Sequence, residues 1–305
     1  MTHPEELDQH EDQKFDELPD GNDSTGVAVG RLNGLSDPAA NGIAAMHRPT
    51  VVVLAGNVRT GKTTLLAALY ERFSHGPIAG WQFAGSVTLP AFEARAQGMR
   101  PVDGAAGPMP HTRLGALPWL HLSAESPTSK MGHLLFGDFD GELFRRLIDN
   151  EERVEDTPAL RRADHLSLVL DADGLCDLKR RHATKRDVRE LIAKFSEGRA
   201  GIDSSVYSVV VTKTDVFREV PSERAEWAHA AITELYEEAR EAFDAASLEL
   251  VNTAAVSTDP ELPVGHGLES LLDLWWRKPA ARPWLEARPP ARQAPAADWF
   301  ARFKS

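Results

Sequence analysis

The chain has 305 residues, 42% of them hydrophobic, and 46 acidic against 34 basic residues give a net charge of -12. That is core enough for one large domain or two small ones, and the acidity argues against direct nucleic-acid binding, which rests on neutralising phosphates. The single cysteine, Cys176, excludes a disulfide framework or a cysteine-based zinc site, and no window has the apolar length of a membrane span, so a cytoplasmic protein is expected.

Residues 1–48 read as an acidic disordered tail and linker. Glu5, Glu6, Asp8, Glu11, Asp12, Asp16, Glu17, Asp20 and Asp23 stand against Lys14, too little apolar surface to offset ordering entropy and too acidic for a secretory signal. The part from 26 to 48, rich in Gly, Ala and Asn, is the linker. Between 49 and 277 the pattern alternates strand and helix. Residues 50–56 (TVVVLAG) form a β-branched strand, and 61–73 an amphipathic helix with Leu65, Leu66, Leu69, Tyr70 and Phe73 on one side. The segment 74–111 is long for a connection, and its Gly and Pro content predicts a mobile loop of the kind used in order–disorder switching; 81–95 within it reads as a helical insert. Strands follow at 118–124, 132–139, 165–171 and 205–212. A helix carries Val188, Leu191, Ile192 and Phe195; another begins at Ser222. A last strand runs from 248 to 257, and Leu268, Leu271, Leu272 and Trp275 line a last helix. Short apolar strands alternating with helices predict an α/β fold of three layers, a mostly parallel sheet covered on both faces. From 278 the chain is a Pro-rich tail, with prolines at 279, 283, 289, 290 and 295; they forbid a long helix, and Trp299, Phe300 and Phe303 can dock on this or another chain.

The strongest local signal is Gly56-Asn57-Val58-Arg59-Thr60-Gly61-Lys62-Thr63, continuing into Thr64. It matches a phosphate-binding loop, and the strand before it and the helix after it supply the required context. Glycines at 56 and 61 allow backbone to approach phosphate, amides of the loop point at the anion, and the helix start adds its positive end. Lys62 would reach the β- and γ-oxygens, and the Thr63 hydroxyl would bind Mg²⁺. Asp138 at a strand end can hold Mg²⁺ through water, and Gly141 can offer its N–H to a γ-phosphate. Thr112, in Pro110-His111-Thr112, can complete the Mg²⁺ shell. At Thr212-Lys213-Thr214-Asp215 a strand-end carboxylate can accept from guanine N1 and its amine, donors that adenine lacks, while the Lys213 stem covers the base. Ser257, in Ala255-Val256-Ser257, stands at the end of the last strand, where loop backbone can meet the guanine oxygen. Thr184-Lys185-Arg186-Asp187 repeats the spelling of 212–215 inside a helical pattern and reads as a solvated face.

In order, GNVRTGKT, PHT, DFDGE, TKTD and AVS resemble the guanine-nucleotide motifs of TRAFAC-class P-loop GTPases, over about residues 49–277. GKTTLLAALYERF, WQFAGSVTLPAFEAR, PHT and DFDGELF together resemble the bacterial double-GTPase group. The resemblance implies a Ras-like domain binding GTP or GDP with Mg²⁺, an extended first switch region at 74–111, and a place in bacterial conflict or antiviral systems with effector proteins bound according to nucleotide state. It implies that Lys62 holds phosphate, that Thr63, Thr112 and Asp138 serve the metal, that Asp138 and Gly141 form the second switch, and that Lys213 and Asp215 bind guanine, with Thr212 where Asn is usual. Glu142 stands where many such enzymes place Gln, and Val58 where small Ras-like ones have Gly; both point to slow intrinsic turnover, with Lys62, Thr112, Gly141 and Glu142 as the catalytic set.

Two other readings stay open. A P-loop ATPase or kinase would prefer ATP and make no use of Asp215. A non-hydrolysing interaction module would bind nucleotide without releasing phosphate. Asp171-Ala172-Asp173-Gly174 lacks the later carboxylates of a calcium loop and reads as a turn. The basic run at 179–186 reads as a solvated helix or a seat for an acidic partner.

Overall fold

The computed structural model describes residues 34–99, 101–102, 105–106, 119–197, 206–243, 248–257 and 261–277. In chain order the elements are α1 (Asp37–His47), β1 (Thr50–Ala55), α2 (Lys62–Ser74), β2 (Gln82–Gly85), α3 (Leu89–Met99), β3 (Pro101–Val102), β4 (Ala105–Ala106), β5 (Trp119–Glu125), β6 (Met131–Gly137), α4 (Gly141–Ile148), α5 (Pro158–Arg161), β7 (His165–Asp171), α6 (Ala172–Cys176), α7 (Arg181–Glu197), β8 (Val206–Thr212), α8 (Val216–Glu219), α9 (Ser222–Ala242), β9 (Glu249–Asn252) and α10 (Leu268–Trp276). Strands β3 and β4 form a separate two-stranded antiparallel ladder.

The other strands form one seven-stranded sheet in the order β2-β5-β6-β1-β7-β8-β9. From β6 through β9 neighbours run parallel; β5 pairs antiparallel with β6, and β2 antiparallel with β5. Both faces of β1 are buried, as a near-continuous apolar run requires. Val51, Val53 and Ala55 enter a core shared with α1, α4, α5, α6, α7 and α9, whereas Val52 and Leu54 enter one shared with α2, α3 and α10. The expected three-layer, mostly parallel architecture is therefore present. After β1 the chain crosses to the β6 side of the sheet, and after β6 to the β7 side. The crevice where this order reverses, beyond the carboxyl end of β1, is where open α/β sheets bind ligands.

Four local expectations change. The linker reading of 26–48 fails over its described part. Asp37–His47 is a helix that buries Ala40 and Ile43; Leu35 exchanges backbone hydrogen bonds with Trp119, whose Nε1 donates to Asp37 Oδ1 at 2.7 Å. The insert at 81–95 begins as a strand, β2, before α3, because the edge of β5 offers it a ladder. The described part of 74–111 thus holds regular structure rather than a loop. The last strand stops at Asn252, beyond which the Thr253 hydroxyl donates to Val211 O and Ala254 bridges to His266. The tail before residue 34, Thr112 and its neighbours, and the Pro-rich tail from 278 lie outside the described residues.

Candidate functional site

The loop between β1 and α2 is shaped by its own sequence. A Cβ at Gly56 would meet Thr60 Oγ1 at 2.9 Å and Val169 O at 3.0 Å, so only glycine lets the turn close there. Gly61 enters α2 at φ +90° and Arg59 has φ +66°. The Thr60 hydroxyl donates to Asn57 O at 2.9 Å and braces the turn from within. Lys62 is only 6% exposed, and its Nζ donates to Gly56 O at 2.6 Å and Asn57 O at 2.8 Å. Burial lowers its pKa from 10.5 to about 8, against the opposing pull of Asp138 and Asp140. The ring of Phe144 on α4 lies 5.5 Å from the same ammonium. A buried ammonium at the start of a helix, beside loop amides, is the chemistry of a polyphosphate anion site.

On the β6 side, Asp138 follows the strand end and is 1% exposed. Its Oδ1 accepts from Thr63 Oγ1 at 3.0 Å. One hydroxyl and one carboxylate fit a hard cation that takes one or two protein oxygens and completes its shell with phosphate and water. Such a cation would neutralise phosphate charge there, held by Thr63 and Asp138. Among the described residues no group of three or more His, Cys, Asp or Glu side chains could hold a metal by itself. Asp140 caps α4 by accepting from the backbone N–H of Glu142 at 3.2 Å. A Cβ on Gly141 would fall 2.2 Å from Val58 N, so glycine is what lets α4 close against the phosphate loop. Glu142 is half-buried in the first turn of that helix, Thr64 is half-buried in α2, and Val58 is exposed at the loop tip.

On the β8 side, Thr212 Oγ1 reaches Thr60 O at 2.7 Å and Leu170 O at 3.1 Å. Thus Thr212 braces the phosphate loop from the position where the resemblance expects Asn. Lys213, at φ +57°, donates from Nζ to Arg59 O at 2.9 Å. The same Nζ forms an ion pair with Asp171 Oδ1 at 2.9 Å. Thr214 N–H and its hydroxyl both reach Thr253 O, tying the 212–215 turn to the loop that carries Ser257. Asp215 is 9% exposed at the start of α8.

Most of the predicted residues therefore meet around one loop: 56–64, Asp138 and Gly141 on one side, Thr212 and Lys213 on the other, with Asp215 on the turn after β8 and Ser257 on the loop after β9. Sequence reasoning missed three contributors. Arg95 on α3 binds Asp138. Asp171 meets Lys213, a contact foreshadowed by the polar residue ending each of two apolar strands, since Asp171 and Thr212 are paired in register. Asp187, in the segment set aside as a solvated face, accepts from Asn57 Nδ2 at 2.7 Å. The basic run around it is satisfied largely from within. Lys185 pairs with Glu234, Arg189 with Glu234 and Glu238, and Arg181 lies 4.8 Å from the Trp227 ring, all on α9. Between the loop, α4 and α7 lies a cavity of about 660 Å³ lined by Val58, Arg59, Arg145 and Asp187 among others.

Known structures similar to the chain include the signal recognition particle receptor SRb-GTP/SRX complex from Chaetomium thermophilum, at 17% identity and TM-score 0.41 over 69% of this chain and 95% of that one. The S. cerevisiae Ski7 GTPase-like domain bound to GTP is similar at 14% identity and TM-score 0.42, over 77% of this chain and 51% of that one, so the match spans about half of the Ski7 structure. Toc33 from Arabidopsis thaliana is similar at 10% identity and TM-score 0.36, over 79% of this chain and 90% of that one. No curated protein matches the chain. The model of the Double-GTPase 2 family matches residues 50–276, which contain every described residue of the site. The chain belongs to the Double-GTPase 2 family.

Proposed function

We propose that the protein is a Mg²⁺-dependent GTP-binding switch with slow intrinsic GTP hydrolysis, acting through effector proteins that distinguish its nucleotide states. Family membership and fold support GTP binding and hydrolysis. One observation carries this reading: a single loop is held by both distant motifs, through Thr63 to Asp138 at 3.0 Å and through Thr212 to Thr60 at 2.7 Å. In this reading loop amides and Lys62 bind the phosphates, Thr63, Thr112 and Asp138 serve the cation, Gly141 reports the γ-phosphate, and Lys213, Asp215 and Ser257 face the base. Glu142 would orient the attacking water while its charge opposes the γ-phosphate, and Val58 would crowd that water; together they favour slow turnover. Segments 74–113 and 138–150 would reposition with nucleotide, in the cytoplasm and in a bacterial conflict or antiviral setting.

The test compares Mg·GTP with Mg·ATP affinity in the wild type and in Asp215→Asn. A clear GTP preference that collapses in the variant is expected. Equal affinities in the wild type would favour an ATPase or kinase and end the guanine reading. Partners retained equally by the GTP and GDP forms would end the switch.

A further inference from the structure

Helix α3 delivers a guanidinium to the phosphate site. Arg95 Nε donates to Asp138 Oδ2 at 2.8 Å, with the two side chains 9% and 0% exposed, and its NH1 group donates to Ala91 O at 2.9 Å. The placement is preset by packing. Phe92 stacks on Tyr70 of α2 with ring centroids 5.6 Å apart, Tyr70 Oη donates to Glu93 Oε2 at 3.0 Å, and Ala91, Phe92 and Ala96 are buried. Asp138 is thereby divided: Oδ1 faces the Thr63 hydroxyl, and Oδ2 faces Arg95.

A guanidinium cannot yield its charge by deprotonation. A dication drawn to Thr63 and Asp138 would therefore share a buried carboxylate with a permanent cation, in a setting where like charges are poorly screened. We propose that Arg95 competes with the divalent cation for the Asp138 carboxylate, a positioning residue that raises the cation concentration the nucleotide site requires. The inference rests on the reading of the site as one for Mg²⁺ and guanine nucleotide. A purely structural Arg95, which only steadied Asp138, would have the opposite sign, because its loss would weaken the cation.

Release of a fluorescent GDP analogue from the full chain, followed against free Mg²⁺, reads the half-saturating cation concentration. Mn²⁺ binding to the GDP-loaded protein, by electron paramagnetic resonance of the free ion, reads it without turnover. Arg95→Gln should lower the half-saturating Mg²⁺ by roughly three- to tenfold, the scale of removing one nearby charge at a partly screened site. Arg95→Lys, which keeps the charge, should stay near the wild type. Arg95→Met keeps the apolar stem and should repeat the shift if the Gln variant does not fold. A half-point unchanged or raised in folded Arg95→Gln or Arg95→Met would overturn the competition and leave the guanine reading intact. A wild type that retains no GDP at any Mg²⁺ concentration would overturn the guanine reading itself, and the inference with it.

Discussion

At the phosphate end of the loop, Lys62, Asp138 and Arg95 are nearly sealed from water, and each charge answers another or a backbone carbonyl. At the end proposed to face the base, Lys213 keeps 37% of its side chain exposed while it meets Asp171 and Arg59 O, and the Thr212 hydroxyl donates to a carbonyl at 2.7 Å. The two ends brace the same nine-residue stretch, 56–64, by different physics. Buried charges are costly to leave alone, so the phosphate end couples folding to ligand chemistry. A screened ammonium and a few neutral hydrogen bonds add modestly to stability, so this end can vary with less effect on the fold.

The largest expected effect follows from stranding one of the buried charges. Asp138→Ala removes the partner of Arg95 and should cost about 3–5 kcal/mol of unfolding free energy, read from denaturant midpoints. Replacing both partners, as Arg95→Met with Asp138→Leu, should recover most of that loss while still abolishing Mg²⁺-dependent nucleotide retention. Should the double variant be no more stable than Asp138→Ala, the phosphate end would not be an electrostatic unit, and the contrast between the ends would dissolve.

The base end offers a smaller break. Thr212→Val is close in shape, keeps the β-branch suited to β8, and deletes the hydroxyl that reaches Thr60 O. Leaving that carbonyl short of a donor should cost about 1–2 kcal/mol, again by denaturant unfolding. A loss as large as that of Asp138→Ala would mean that a neutral bond rivals a buried ion pair, contrary to the comparison.

The same division explains what could be read from the chain alone. The phosphate loop, Asp138 and the 212–215 turn were legible because each sits at the end of a strand whose apolar run fixes where the polar residue must emerge. Arg95 was not, because an arginine in an amphipathic stretch looks like any solvated side chain until α3 has a place to dock. Its destination depends on Phe92 stacking against Tyr70, a contact between residues 22 apart in sequence. The helix α1 was hidden for a related reason: its buried face is only Ala40 and Ile43, with Gly42 between them, too short a stripe for periodicity to register. Asp187 shows the converse limit. Its helical setting was legible, but which turn of α7 would come to rest against Asn57 depends on helix packing rather than on local pattern.

The mildest prediction isolates one charge at the phosphate end. Lys62 binds anions only as an ammonium, and burial has brought its pKa down to about 8, with Asp138 and Asp140 pulling the other way. A bound polyphosphate would raise that value again, so nucleotide binding takes up a proton above pH 8 and weakens as pH rises. Between about pH 7 and about pH 8.5 the charged fraction falls from roughly nine-tenths to roughly one-quarter, so GDP affinity should drop about fourfold. The sign is fixed by linkage: below about pH 7 the lysine is almost fully charged and affinity should be nearly flat. Lys62→Arg carries a charge that does not titrate in this range, so its affinity, whatever its absolute value, should lack the fourfold decline. Both proteins see the same titration of guanine, which therefore cancels in their ratio. Parallel pH profiles for the two proteins would place the proton elsewhere than on Lys62, and would remove the argument that burial of this ammonium tunes the anion site.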